Sequence, residues 1–314
     1  MKVPRSILLR PVMVVLLTLA VVSRHGSVAG AIDVASQSEP IVVAQLADAA
    51  ESKDWPVVER LLEEGVNTGA AQPDGMTALH WAVYHNGMPA IRWLIDSECN
   101  VNAVTRYQIS PLYIACQLGH ADAAELLIAA GADVNAALSG GETMLMVACR
   151  TGNPGVVRHL VRAGARVDAR ERRGQTALMW AAAEGHADVV DLLLESGADP
   201  DVSTAKGFTA LMFAAREGRR DVVSRLLSAG VDVNFVMNPR SRGNRAPRAG
   251  TSALQMAVES GHFELALFLV QQGADPNDQR SGFTPLHALT WVRKPDRGEN
   301  EKGDPSPRGS GKVT

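Results

Sequence analysis

Large rings are scarce in this chain of 314 residues, at 4% aromatic, although 46% of it is hydrophobic. A core must therefore be built from Ala, Leu, Val and Met. Three cysteines, Cys99, Cys116 and Cys149, are too few and too odd in number for a disulfide framework. There is no excess of positive charge, since the formal net charge is -3, so nothing global points to nucleic acid. H-E-x-x-H, Cys-x-x-Cys and a Lys-Ser/Thr phosphate loop are all missing, which removes the common signatures of metalloprotease, zinc and nucleotide chemistry. No Ser/His/Asp or Cys/His set stands apart as a catalytic constellation. The longest apolar run, Pro11 to Val22, falls short of the roughly 20 residues a spanning helix needs.

What is present is a period. Thr77-Ala78-Leu79-His80 returns as Ser110-Pro111-Leu112-Tyr113, Thr143-Met144-Leu145-Met146, Thr176-Ala177-Leu178-Met179 and Thr209-Ala210-Leu211-Met212. Successive leucines are 33 residues apart, and Leu254 and Leu286 follow after steps of 43 and 32. A fixed period of this length signals a solenoid of stacked units. Thr or Ser opens a short segment of small apolar residues, because its hydroxyl accepts free backbone N–H groups. A glycine ends it (Gly87, Gly119, Gly152, Gly185, Gly218, Gly261). An amphipathic stretch follows, such as Ala187 to Leu194, and stops at Gly-Ala-Asp. Each unit thus reads as two short antiparallel helices that bury their faces only by stacking.

This grammar resembles the ankyrin repeat, through Thr-Pro-Leu-His at 284–287, Gly-His at 119–120, 185–186 and 261–262, and Gly-Ala-Asp at 131–133, 197–199 and 273–275. The resemblance implies an all-α solenoid of about seven helix-turn-helix units plus a partial eighth. Residues 41–75 read as an N-terminal capping repeat and 76–282 as six fuller repeats. Residues 283–292 open a partial repeat, and 293–314 read as a disordered tail rich in Pro and Gly. The open eighth unit implies either a fragment or a tail folded over that end. An insertion at 235–250 carries Arg240, Arg242, Arg245 and Arg248 with no acidic residue, and is expected to enlarge one finger between units.

Lys2, Arg5 and Arg10 before the apolar run, and Ala29-Gly30-Ala31 after it, read as an export signal over 1–31, with mature chain from Ile32 and a linker over 32–40. An uncleaved anchor over 11–22 is the alternative, and only then would the protein touch a membrane. The export signal with such units resembles exported bacterial proteins of the same family, periplasmic or secreted. Cys116 and Cys149 occupy equivalent points of adjacent units, about 10 Å apart as packed helices are, and so are expected as buried thiols. Cys99 is expected to take the place of the usual turn glycine and to be partly exposed.

The His-Ala-Asp pairs at 120–122 and 186–188 recur in phase, which suits a turn better than a catalytic site. Met146, Met179 and Met212 replace the family's histidine and read as core rather than as a soft-metal stripe. No cofactor or metal is expected. The resemblance implies a non-enzymatic scaffold, monomeric, that binds a protein or peptide on its concave, finger-bearing side. Mapped onto this sequence, the candidates are Tyr84, Arg106, Tyr107, Gln117, Arg150, Arg172, Arg173, Lys206, Arg216, Arg240, Arg242, Arg245 and Arg248. They form a basic rim, interrupted by Glu142, Glu184, Glu217 and Glu259, that suits an acidic partner. An accessory region of a larger enzyme and an inhibitor or immunity-type protein are the competing readings.

Overall fold

The computed structural model describes residues 44–238 and 248–292. Among them lie fifteen helices and no strand. The first pair is α1 (Gln45–Glu51) with α2 (Trp55–Glu63). Then come α3 (Ala78–Tyr84) with α4 (Met88–Asp96), α5 (Pro111–Leu118) with α6 (Ala121–Ala129), and α7 (Met144–Thr151) with α8 (Pro154–Arg162). α9 (Ala177–Glu184) pairs with α10 (Ala187–Glu195), α11 (Ala210–Arg216) with α12 (Arg220–Ser228), and α13 (Ala253–Glu259) with α14 (Phe263–Gln271). α15 (Pro285–Val292) has no second helix after it among the described residues.

Odd-numbered helices stack in chain order, and each packs on its own even-numbered partner. The even helices form a second row, in which only α12 and α14 barely touch. Position in the stack decides burial. Met144, Leu145, Met146, Val147, Ala148 and Cys149 are each 2% exposed or less, because α7 lies between α5 and α9 with α8 behind it. α8 buries one stripe, Val156, Val157 and Leu160. Cys116 and Cys149 are free and buried, and desolvation pushes both thiols up. Met146, Met179 and Met212 are each 1% exposed.

Local chemistry sets the helix ends. The hydroxyls of Ser110, Thr143, Thr176, Thr209 and Ser252 accept backbone N–H groups three residues on. Gly119, Gly152 and Gly185 end their helices at positive φ. Two positions correct the sequence reading. In the first full unit the positive-φ residue is Asn86 (φ 52), not Gly87. Gly87 is small for a different reason, since a Cβ there would lie 2.8 Å from the Trp55 ring. Likewise Glu98 (φ 56), not Cys99, stands at the turn position. Cys99 is equivalent to Ala132, and burial pushes its thiol up to about 11.

Two ladders of side-chain hydrogen bonds tie unit to unit. In one, the residue before an even helix donates back to the odd helix of the unit before, or to the turn that ends it. Asn153 Nδ2 donates to Gly119 O (2.8 Å), His186 Nε2 to Arg150 O (3.1 Å), Arg219 Nε to Ala183 O (3.0 Å) and His262 Nε2 to Arg216 O (3.0 Å). His85 does the same for Glu51 O (3.0 Å), from two positions earlier, where Gly87 has no side chain to offer. In the other ladder an Asn reaches forward to the next turn. Asn102 donates to Gly131 O and accepts from Asp133 N, and Asn135 and Asn234 repeat the pattern. Asp168 accepts from Asp199 N but has no amide N–H to return.

Candidate functional site

A finger projects between each even helix and the next odd one. Its base is closed by one backbone bond, Gln72 N to Met76 O, Thr105 N to Ile109 O, Leu138 N to Glu142 O, Glu171 N to Gln175 O and Thr204 N to Phe208 O. Donor and acceptor are four residues apart in all five. In the sixth finger the same bond joins Met237 N to Thr251 O (2.9 Å), and Gly250 N donates to Met237 O (2.8 Å). The ten additional residues therefore fall in sequence between Met237 and Gly250, beyond the described base. Phe235 and Val236, counted with the insertion from sequence, are ordinary base. Val236 bridges Ser252 as Ala71 bridges Thr77 and Ala137 bridges Thr143. Beneath this base Met212, Met237 and Met256 pack with Phe208 and Phe235.

The candidate residues divide into tied and free. At the first tip position, Arg106 N donates to Asp74 O (2.9 Å) and its guanidinium reaches Pro73 O. Arg172 N donates to Gly140 O (2.9 Å) and its guanidinium to Ser139 O (3.3 Å). These two arginines stitch finger to finger. At the second tip position, Tyr107 (59% exposed), Arg173 and Lys206 point outward. Neither Arg173 nor Lys206 has an ion-pair partner among the described residues. Arg248 is exposed, with its guanidinium 4.7 Å from the centre of the Phe283 ring. Arg240, Arg242 and Arg245 lie outside the described residues.

The odd-helix ends are a different surface. Arg150 pairs with Glu142 (2.9 Å), donates to Gln117 Oε1 (2.6 Å) and lies over the Trp180 ring (5.8 Å). Arg216 pairs with Glu217 (2.9 Å) and covers Phe213 (5.1 Å) and Phe208 (5.7 Å). Gln117, Arg150 and Arg216 thus serve the protein's own packing, and the two arginines are paired with Glu142 and Glu217. Tyr84 is half-buried in a cluster that sequence reading missed, edge-on to Trp81 (5.7 Å) and His85 (5.0 Å). Gln72 anchors that cluster. It accepts from Trp81 Nε1 (2.8 Å) and donates to both Asp48 (2.7 Å) and Glu51 (2.6 Å). The signal was in the sequence, since Trp81, Tyr84 and His85 crowd one unit while later units hold at most one ring there.

Ankyrin repeat family models match residues 46–138 and 145–237 (three-copy model) and 254–291 (many-copy model). The chain belongs to the ankyrin repeat family. No curated protein matches it. Ankyrin repeats indicate a protein–protein interaction scaffold. Among the described residues no group of three His, Cys, Asp or Glu side chains could hold a metal ion. No helix there is long and apolar enough to cross a membrane.

Proposed function

We propose that this ankyrin array is a non-enzymatic scaffold outside the cytoplasm, and that it recognises an acidic protein or peptide along its finger tips. The observation that carries the reading is the split just described. Cations at the helix ends are matched by Gln117, Glu142 and Glu217, whereas the side chains of Arg173 and Lys206 at the tips make no ion pair among the described residues, Glu171 being turned to the backbone N–H of Arg173 (2.8 Å). The insertion that follows Met237 carries four arginines in sequence, of which Arg248 is described and exposed. Unmatched surface cations speed the approach of an acidic partner and make binding salt-dependent. Guanidinium groups then offer paired donors to carboxylates.

Capture of partners from an envelope extract, followed by mass spectrometry, supplies the ligand. Replacing Arg240, Arg242, Arg245 and Arg248 with Ser is expected to weaken its binding about tenfold or more at low salt. The salt dependence of the dissociation constant should flatten, while thermal melting stays where it was. Binding that ignores the four substitutions removes the acidic-partner reading. The export part is supported by the basic, apolar and small-residue segments in order over 1–31. Amino-terminal sequencing of the protein made in its own cell is expected to begin at Ile32. A chain starting at Met1 in the cytosolic fraction refutes it.

A further inference from the structure

The outer face of α14 breaks the pattern of every earlier even helix. Glu59, Arg92, Glu125, Arg158, Asp191 and Ser224 occupy equivalent positions, each 33 residues apart, and the next member is Leu267. That position faces forward along the stack. Glu125 meets His159 (3.9 Å) and Asp191 meets Arg225, in both cases on the following even helix. Leu267 is 62% exposed and Val270, one turn on, 36%. Leu286 on α15 is 67% exposed, although its equivalents Leu79, Leu112, Leu145, Leu178, Leu211 and Leu254 are each 2% or less. Leu267 and Val270 on α14 and Leu286 on α15 thus leave the last described helices with exposed apolar side chains, a seat for an apolar helix.

We infer that a second copy of this chain occupies the seat, with the α14 helices meeting across a two-fold axis. Self-pairing requires one face to be both helix and seat, and α14 meets that requirement. It exposes Leu267 and Val270, and Glu264 is the only charge on its outer side. Other even helices would repel their own copies, α10 through Asp188, Asp191 and Glu195 and α8 through Arg158 and Arg162. The chain's own residues 293–314 offer no apolar stripe, Val313 being their one aliphatic side chain. A nine-residue helix is about 13 Å long, so the contact is small and the dimer weak, with a dissociation constant in the micromolar range. This replaces the monomer expected from sequence.

Sedimentation velocity on the full chain tests the inference. The wild type is expected to pass from monomer near 1 μM to dimer near 100 μM. L267E and V270E should each remain monomeric at both concentrations, with unchanged circular dichroism and melting because both sites are exposed. L118E, on a leucine 42% exposed at the end of α5, should dimerise as the wild type does. A wild type monomeric at 100 μM overturns the inference, whatever covers the face instead. So does a dimer that survives L267E and V270E, or one that L118E dissolves.

Discussion

Lowering the pH from 7 to 4 is expected to take about 3 kcal/mol of stability from the amino-terminal units, and His80 is the main reason. Its side chain is buried between units. Nε2 faces Ile109 O at 3.0 Å, and a carbonyl only accepts, so Nε2 carries the proton. Nδ1 then accepts from Thr77 N (3.2 Å) and lies 2.8 Å from Thr77 Oγ1. A second proton on the ring would have to enter a dry space and oppose the Thr77 N–H. Burial accordingly lowers the His80 pKa from 6.5 to about 4, against the milder upward pull of the Ile109 hydrogen bond. The folded-state value lies below the unfolded one, so the unfolded chain takes up the proton first. The contribution is complete above pH 6.5, is lost as the pH falls towards 4, and changes no further below that. Burial lowers His85 and His120 too, which adds in the same direction.

Denaturant titration at the two pH values checks this, with His80→Met as the comparison. Methionine already fills the equivalent place at Met146, Met179 and Met212, so the variant keeps the packing. It should cost about 1–3 kcal/mol at pH 7, by leaving the buried Thr77 N–H without its acceptor while Ile109 O keeps its bond from Thr105 N, and should lose most of the acid sensitivity. A variant as acid-sensitive as the wild type would place the effect elsewhere.

Gly250→Val is expected to release the last units from the array. Gly250 has φ 82, and a Cβ there would sit 1.9 Å from Arg280 O and 2.7 Å from Ser281 N. Both are backbone atoms, so no side chain can swing aside. The left-handed conformation alone costs a β-carbon residue roughly 1–2 kcal/mol, and displacing the neighbouring finger adds to it. The junction has little in reserve. α12 meets α14 through Arg220 over the Phe268 ring (4.8 Å), beside α11 against α13, the bonds of Asn234, Arg280 and His262, and the finger base that Gly250 closes. In hydrogen exchange, residues 253–271 should lose most of their protection while 109–230 keep theirs. Gly230→Val is the control. It has a similar φ of 89 but nothing within 4 Å of its Cβ position, so it should cost only the conformational part. Equal effects from the two substitutions would show that the close approach of Gly250 to Arg280 does not matter.

Much of this was legible in the chain. The leucine spacing located six helix pairs and the odd last helix, because burial in a stack repeats as the units do, and the capping repeat over 41–75 supplied the first pair. Capping hydroxyls were equally plain. The reading slipped where a residue did a neighbour's job. Asn86 and Glu98 carry positive φ that a search for glycine assigns to Gly87 and Cys99. His85 makes the bond that His186 makes from a position two residues later in its unit. The basic rim was seen as one surface, yet Arg150 and Arg216 are consumed inside the protein. Arg150 meets Gln117 from the unit before, a pairing that appears only once the units are stacked. The extra length at 235–250 was evident, but only the backbone bond from Met237 to Thr251 shows that Phe235 and Val236 belong to the ordinary base.

The two ladders have a bearing on how the protein comes into being. Their bonds join residues between 29 and 46 positions apart, as with Asn102 to Gly131 and Arg216 to His262. No segment waits for a distant one to be synthesised. Chains whose contacts are this short-range fold fast, and amino-terminal parts settle while later parts are still on the ribosome. Each new helix pair then finds its template already standing.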